Sequence, residues 1–425
     1  MRRIPKFFFF LVLGVIFGLC LAMPSAAGFS GAGSGTARNP FIITTPAQLN
    51  EVRNFIFMDA RLSGGGGTPL VHFRLGNDID LEAYLAPGGA GYAKWGAAGW
   101  KPMGEFFYRS GISEIGLGID RSRLFTVSFD GAGYTIRGLW INRTDMFSVG
   151  LFRMSSGVIK NLGVEIADNS IGVRGRSAVG GLVGEQRGGS ITNSYVTGDV
   201  YGSGDAIASG VGGLVGRMLT GNIINSYATG DVIGASGVGG LVGRMMMGRI
   251  TNSYATGNVI GTDSVGGLVG AFNVDGFGSI TNSYATGDVT GSRTHVGGLV
   301  GWAPGWGRAG GSITNSFATG NVAGYDRVGH VMGDRKASDG NPLPRLLNNF
   351  RYDGATLTAA GNIVTGQDDD PNGIHGGTVT ANQLMTKATY TAAGWEFAPN
   401  GPWHWDDRGF PKLNIGEEVF PFRFR

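Results

Sequence analysis

The feature that most constrains the fold is a motif that returns at short, nearly regular intervals. The sequence Val-Gly-Gly-Leu-Val-Gly occurs in five copies, and a shorter related segment lies on either side of them. The copies begin at Val179, Val211, Val238, Val265 and Val296, and the related segments begin at Val149 and Val328. These starting points are 27 to 32 residues apart. Such a period predicts stacked supersecondary units, each burying its apolar face against its neighbours.

A second motif follows each of the five copies. It reads Ser-Ile-Thr-Asn-Ser-Tyr-Ala-Thr-Gly-Asp-Val or a close variant, and it occupies 191–200, 224–232, 250–259, 280–289 and 313–322. Its apolar residues alternate or form short β-branched runs that end at Gly or Asn, whereas helical repeats would space them by three and four. Each repeat is therefore interpreted as two or three short strands. Such a repeat forms one coil of a β-solenoid, with coils stacked about 4.8 Å apart.

Composition agrees with this interpretation and excludes several other classes. Glycine makes up 79 of 425 residues, but it does not recur every third residue, which excludes collagen. The same glycines would destabilise a helical bundle. A hydrophobic content of 42% and an aromatic content of 11% argue against disorder.

Stacking places equivalent residues above one another, and the asparagines of the second motif would form a column at one corner. Side-chain amides that bond along the stack suit a turn that must repeat in register. The predicted ladder contains Asn193, Asn225, Asn252, Asn282 and Asn315.

The domain boundaries follow from where the repeats begin and end. Residues 28–68 are predicted to form an N-terminal cap, with a capping box at 45–48 and a short helix that places Leu49, Val52 and Ile56 on one face. Residues 69–335 are predicted to form the β-helix, with clear repeats at 149–333. Residues 336–425 are predicted to form the other cap. They contain a capping box at 380–383 and an aromatic tail of Trp395, Phe397, Trp403, Trp405 and Phe410.

Residues 1–27 are typical of a cleaved secretory signal peptide. A basic start is followed by an apolar run and then by small residues before Gly28. Cleavage would remove Cys20, the single cysteine, together with three of the 34 basic residues, leaving 31 basic against 31 acidic residues. The mature chain is predicted to be secreted or held at a cell surface, without a membrane span. Its balanced charge argues against nucleic acid as a partner.

The repeats and their flanking segments resemble a known family. The Gly-Leu-Val-Gly core followed by Ile-Thr-Asn-Ser-Tyr-Ala-Thr-Gly-Asp-Val is similar to the GLUG motif of bacterial surface proteins. The flanking segments at 77–81, 99–104 and 129–134 fit the same group. Similar repeats occur in filamentous-haemagglutinin-like adhesins and beside the peptidase domains of secreted proteases. The resemblance implies an all-β, right-handed parallel β-helix.

No catalytic constellation is found in the sequence. The five histidines are scattered, no His-Glu-x-x-His or Gly-x-Ser-x-Gly segment occurs, and cysteine chemistry is lost with Cys20. Asp368, Asp370 and Asn372 begin like a calcium loop, but Val379 stands where a bidentate Glu is expected. An ordinary acidic turn is the alternative interpretation, and no other cofactor is predicted.

The aromatic residue of the second motif offers a candidate binding face. Alternation places Tyr, Thr and Asp on one face of the strand and Ala, Gly and Val on the other. A flat outward column of rings could bind sugar, while a stacked structural ladder, even one turned inward, is the alternative. The column contains Tyr195, Tyr227, Tyr254, Tyr284 and Phe317.

The links between the two motifs supply a further candidate, since large apolar residues occur there at every level. Stacked, they would form an apolar corner ridge, and an exposed ridge is typical of an interface. Coverage by the C-terminal segment or by the links themselves is the alternative. The predicted ridge contains Met218, Leu219, Met245, Met246, Met247, Phe272, Phe277, Trp302 and Trp306.

The sequence therefore predicts a secreted or surface-attached, non-catalytic β-helix that mediates adhesion or surface binding. Its expected partner is an extracellular glycan or a surface protein. Two alternatives remain open at this point. One is a polysaccharide lyase or hydrolase built on a β-helix, and the other is a structural spacer without a ligand.

Overall fold

The chain forms a parallel β-helix, which confirms the predicted fold class. The computed structural model describes residues 28–55, 71–104, 127–204, 210–272, 278–304, 311–334, 343–405 and 410–415. The predicted signal peptide, Ile56, Phe277 and Trp306 lie outside these residues. Four stacked sheets run along the solenoid, and each complete coil contributes to all four.

Sheets 1 and 2 contain the two halves of the second motif. Neighbouring strands in both sheets are parallel and one coil apart. Sheet 1 consists of Phe41–Ile43, His72–Leu75, Ser128–Asp130, Val158–Lys160, Ser190–Thr192, Asn222–Ile224, Arg249–Thr251, Ser279–Thr281, Ser312–Thr314 and Arg345–Leu347. Sheet 2 consists of Ile79–Asp80, Thr135–Leu139, Gly163–Ile166, Tyr195–Thr197, Tyr227–Ala228, Tyr254–Ala255, Tyr284–Ala285, Phe317–Ala318, Phe350–Tyr352 and Gly377–Val379.

Sheets 3 and 4 contain the end of the second motif and the whole of the first. Sheet 3 consists of Ile141–Val149, Val173–Gly180, Val200–Gly202, Val211–Gly212, Val232–Ile233, Ser236–Gly239, Val259–Gly261, Asp263–Gly266, Val289–Gly291, Thr294–Gly297, Val322–Gly324, Asp326–Gly329, Leu357–Ala359 and Asn362–Ile363. Sheet 4 consists of Phe152–Ser155, Val183–Gln186, Val215–Met218, Val242–Met245, Val269–Phe272, Val300–Trp302 and Met332–Asp334. A separate antiparallel pair joins Trp403–Trp405 to Pro411–Leu413.

The core is built from columns of identical residues. Leu214, Leu241 and Leu268 are fully buried at successive levels, and so are the valines that flank them in each motif. Burying one such side chain contributes about 1.5–3 kcal/mol, and the repeat supplies it at every coil. Ala228 and Ala255 also face this core, as alternation predicts for the residue after each tyrosine.

The predicted asparagine ladder is confirmed and is longer than predicted. Each Nδ2 donates to Oδ1 of the asparagine one coil earlier, at 2.9 to 3.4 Å, from Asn348 down to Asn161. Every member has a φ of 49° to 58°, a left-handed conformation that asparagine tolerates better than most residues. Asn161 then donates to Oδ1 of Asp130 at 3.1 Å, so all the amides point the same way and end at a carboxylate.

Removing one member of the ladder should destabilise the solenoid locally. Asn252 donates to Asn225 and accepts from Asn282, so Asn252→Ala removes two hydrogen bonds. It also places an alanine at a positive φ, which strains the backbone. We expect a loss of roughly 2–3 kcal/mol, and roughly 1–2 kcal/mol for Asn252→Gly, which keeps the backbone conformation. Urea unfolding followed by circular dichroism measures both. Midpoints equal to that of the wild type for both variants would show that the ladder contributes no stability.

Short helices lie near both ends of the solenoid. They are Pro46–Glu51, Glu82–Leu85, Ala90–Trp95, Ala381–Leu384 and Lys387–Ala392, with 3-10 turns at Val52–Asn54 and Gly96–Ala98. In the first helix, Thr45 caps the N–H of Gln48, and Leu49 and Val52 are buried in the solenoid core. The predicted capping box at 380–383 is present, because the Thr380 side chain accepts from the Gln383 N–H and the Gln383 side chain accepts from the Thr380 N–H. No helix among the described residues is long and apolar enough to cross a membrane.

The parallel stacking extends further than the repeats do. Phe41–Ile43 pairs with His72–Leu75, and Gly377–Val379 pairs with Phe350–Tyr352, although neither pair carries the motifs. At the far end, the carbonyl oxygen of Ile374 accepts hydrogen bonds from the N–H groups of Val331 and Met332. Backbone pairing needs no particular side chain, so the outer coils can form without the repeat sequence.

Candidate functional site

The tyrosine column points away from the solenoid core, as predicted, but it is not an exposed face. Tyr227, Tyr254 and Tyr284 stack with successive ring centroids 4.8 and 4.6 Å apart and are at most 3% exposed. Tyr195 and Phe317 complete the column and are also buried. The prediction of an open aromatic binding surface is therefore wrong. The outward rings form an apolar stripe on sheet 2, and other residues of the same chain cover it.

The cover is a C-terminal clasp, which we define as residues 390–405 together with 410–415. Trp403 is fully buried, stacks on Trp395 at 4.4 Å and lies 5.9 Å from Tyr284. Trp395 Nε1 donates to the carbonyl oxygen of Asn315, and Tyr227 Oη donates to that of Ile415. The clasp therefore runs lengthwise down the column, and its aromatic residues form a second core outside the solenoid.

The column ends at Tyr195, and a groove opens there. Gly163 occupies the next position in register, and a side chain on it would collide with the Tyr195 ring, because an added Cβ would lie 2.4 Å from Cζ. The missing side chain lets Tyr195 Oη reach Thr135 Oγ1 at 3.0 Å. Ile415 reaches the same place from the clasp.

The groove is open to solvent and has a volume of about 450 Å³. Its walls combine an aromatic ring with side chains that donate and accept hydrogen bonds. The residues that line it are Arg74, Asp130, Ala132, Gly133, Asn161, Leu162, Gly163, Asn193, Tyr195, Asn414 and Ile415. Carboxylate, guanidinium and amide groups thus converge beside one aromatic ring, an arrangement that suits a ligand rich in hydroxyl groups.

Asp130 is the charged centre of the groove. Burial raises the pKa of its carboxyl, but hydrogen bonds from the Ala132 N–H and Asn161, together with Lys160 at 3.4 Å, outweigh burial and hold the pKa below its usual range. Asp130 is therefore ionised at neutral pH. Since it also accepts the last amide of the ladder, the carboxylate is held rigidly, as a preorganised acceptor requires.

The apolar corner ridge is only partly at the surface. Met218, Met245 and Phe272 are fully buried in the core, so the exposed-ridge prediction is wrong for these three. They occupy the inward position of sheet 4, where the long side chains fill the solenoid interior. The remaining described members are Leu219, Met246 and Trp302, which are half-buried, and Met247, which is 39% exposed.

The calcium-like loop uses its oxygens within the protein. Asp370 Oδ1 accepts from the Asn372 N–H at 2.9 Å, and Asn372 Oδ1 accepts from the Asn348 N–H at 3.1 Å. The backbone oxygen of Asp368 accepts from Arg351. Across the described parts of the chain, no group of three or more His, Cys, Asp or Glu side chains is placed to hold a metal ion. The geometry is that of an acidic turn, and calcium binding there stays a prediction.

The repeats match a known family motif. A family model described as the GLUG motif matches residues 175–201, 207–233, 234–260, 261–290 and 292–323. The chain carries five GLUG motifs. Each GLUG motif spans roughly one coil, running from one strand of sheet 3 through sheets 4, 1 and 2 to the next strand of sheet 3.

Two curated relatives match part of the chain. One, from Evansella cellulosilytica, is provisionally named a Gly-rich membrane protein and is 34% identical over 185 residues, 42% of this chain and 17% of that protein. The other is halomucin of Haloquadratum walsbyi, 30% identical over 176 residues, 40% of this chain and 2% of that protein. The chain therefore matches less than a fifth of the length of either relative.

A solved structure shares the architecture. It comes from Bacteroides ovatus and is provisionally named an immunoglobulin A1 protease. It aligns with a TM-score of 0.53 and 20% identity over 90% of this chain and 94% of that chain. At this identity the likeness shows the fold alone. The GLUG coils and the regions on either side of them thus follow a known β-helical architecture.

Sequence reasoning missed the groove. Asp130, Asn161 and Gly163 precede the five matched GLUG motifs, and Asn414 comes from the far end of the chain. One signal was available, because Asn161 stands 32 residues before Asn193, the same interval as between Asn193 and Asn225. The contribution of the clasp had no such signal, since its position depends on packing against the tyrosine column.

Proposed function

We propose that this protein is a non-catalytic β-helix of the cell surface or extracellular space that binds an extracellular glycan in the groove below Tyr195. The observation that supports this is the convergence of Asp130, Arg74 and three asparagines beside one aromatic ring in a 450 Å³ groove. Sugar hydroxyls both donate and accept hydrogen bonds, and these groups offer both partners.

The construction of the groove also supports binding. Its floor is the end of the asparagine ladder, and one wall is the clasp, so the polar groups are held by rigid elements. Groups that are fixed before the ligand arrives lose little entropy on binding. The membrane-associated name of one relative supports a surface location, which we include in the proposal.

The test is affinity electrophoresis of the purified protein through a panel of extracellular polysaccharides. Arg74 and Asn414 are exposed side chains of the groove. Arg74→Gln and Asn414→Ala should each lower the affinity for the polysaccharide that retards the wild type. For Arg74→Gln, which removes a charged contact, we expect about a tenfold loss. Arg345→Gln is the matched control, because Arg345 is exposed on the last strand of the same sheet, away from the groove. Its mobility should equal that of the wild type.

Polymer length is measured after each run. Intact polymer is the expected result for a binding protein, whereas shortened polymer would replace this proposal with a polysaccharide-cleaving enzyme. Two results would contradict glycan binding in this groove. Either no polysaccharide retards the protein, or Arg74→Gln and Asn414→Ala are retarded as strongly as Arg345→Gln.

A further inference from the structure

A row of alternating charges runs along sheet 1 beside the groove. Arg74, Asp130 and Lys160 are direct partners in the parallel register at three successive coils. Neighbouring strands lie about 4.8 Å apart, so the carboxylate has a cation on either side along the row. The row therefore contains two positive charges and one negative charge.

The carboxylate of Asp130 is neutralised by Lys160 rather than by Arg74. Lys160 Nζ lies 3.4 Å from Asp130 Oδ2, and Asp130 Oδ1 accepts from the Ala132 N–H and from Asn161 Nδ2. A carboxylate has about four acceptor sites, so Asp130 keeps about one for a ligand hydroxyl. Within the described parts of the chain, the Arg74 guanidinium forms no hydrogen bond and no ion pair.

Arg74 is thus the uncompensated charge of the groove. It and Asp130 are the charged members of the lining, and Arg74 is exposed whereas Asp130 is half-buried. Two acids at the neighbouring sheet 2, Asp78 and Glu165, are held by Arg137 at 3.4 and 3.2 Å and do not line the groove. The charge that a ligand meets in the groove is therefore positive.

The neutral groups of the groove suit hydroxyl groups. Asn161 and Asn193 each use one N–H and one lone pair in the ladder, which leaves each amide one of both. Asn414 is exposed, and its side chain makes no hydrogen bond to any residue that the structure describes. Leu162 and Ile415 add apolar surface. Amides for hydroxyls and one guanidinium for an oxyanion are the groups that match an acidic sugar.

We infer that the glycan bound in the groove is acidic and that Arg74 pairs with its carboxylate or sulfate group. This inference rests on the proposed function and names the class of glycan. A guanidinium presents paired N–H donors in a planar fork, which match two oxygens of such a group. Asp130 and the amides then bond to the sugar hydroxyls.

Isothermal titration calorimetry of the purified protein compares each acidic polymer with a neutral polymer of the same backbone. The pairs are polygalacturonate with its methyl ester, and dextran sulfate with dextran. We expect at least one acidic polymer to bind about tenfold more tightly than its neutral counterpart, with an affinity that falls as salt rises. The pair that shows this difference identifies the oxyanion as a carboxylate or a sulfate.

Substitutions of Arg74 test its role. Arg74→Gln should lower the affinity for the acidic polymer by about tenfold and reduce its salt dependence, and it should change binding of the neutral counterpart much less. Arg74→Lys keeps the charge but loses the planar fork, so its affinity should lie between those of the wild type and Arg74→Gln. Arg345→Gln removes the same charge from the last strand of sheet 1 and is the matched control, which should bind as the wild type does.

Two results would overturn this inference and leave the proposed function intact. One is a neutral polymer that binds as tightly as its acidic counterpart and is weakened by Asn414→Ala. The other is acidic-polymer binding that Asn414→Ala weakens and Arg74→Gln leaves unchanged. Binding that neither variant weakens would lie outside the groove and would contradict both the inference and the proposed function, as would the absence of binding to any polysaccharide.

Discussion

Gly270→Ala is expected to destabilise the solenoid strongly, although it adds a single methyl group. An added Cβ at Gly270 would lie 2.4 Å from the backbone nitrogen of Val238 and 2.5 Å from the carbonyl carbon of Gly237. Both atoms belong to the preceding coil, and backbone cannot rotate away as a side chain would. The two coils must separate, which lengthens hydrogen bonds in sheets 3 and 4. We expect a loss of roughly 3 kcal/mol or more, at the upper end for overpacking.

Gly188→Ala is the matched control for that substitution. Its added Cβ would lie 3.6 Å from the nearest atom, Ser156 Cβ, which is ordinary van der Waals contact, and its φ is not positive. Thermal unfolding followed by circular dichroism compares the two variants with the wild type. A Gly270→Ala midpoint as high as that of Gly188→Ala would show that the coils are not packed as closely as described.

Trp403→Ala is the second substitution with a large expected effect. The indole is fully buried between Trp395 and the column tyrosines, with Tyr254 and Tyr284 at 6.3 and 5.9 Å. Removing a buried tryptophan costs about 3–5 kcal/mol when the cavity cannot close. The core of the solenoid lies on the other side of sheet 2, so we expect the clasp to detach before the coils unfold. Tyr227 and Tyr254 would then become exposed.

Limited proteolysis measures this detachment. The variant should lose its C-terminal segment at a protease concentration that leaves the wild type intact, while the remaining fragment keeps its β-sheet circular dichroism. Tyr325→Ala serves as the control, because this tyrosine is 67% exposed and its removal leaves no cavity. Simultaneous loss of the clasp and the coils would contradict the view that they are separate cores.

The fold was predictable because the same local pattern occurs at every level. Leu241 and Val242, like their counterparts in the other coils, need only a partner one coil away, and the period of the motif identifies that partner. The asparagine ladder follows from the same logic. Asn225 has one residue type above and below it, so a column of amides was the direct expectation.

The outward surface was less predictable, because alternation tells which way a side chain points but not what covers it. Tyr254 points outward in both the prediction and the structure, yet Trp403 buries it. Met245 was assigned to a surface corner, but it is the last residue of a sheet 4 strand and is fully buried in the core. The partner of an outward residue comes from a segment with no repeat, and only packing in three dimensions brings that segment into contact.

The lengthwise clasp constrains the number of coils that lie between its contacts with the solenoid. It bonds to Asn315 through Trp395, to Tyr284 through Pro411 and to Tyr227 through Ile415, so its contacts are spaced by the height of the coils between them. An inserted coil would move the upper contacts by about 4.8 Å relative to the lower ones. Such an insertion would misalign the clasp. The clasp therefore restricts the solenoid to its present number of coils between the levels of Tyr227 and Asn315.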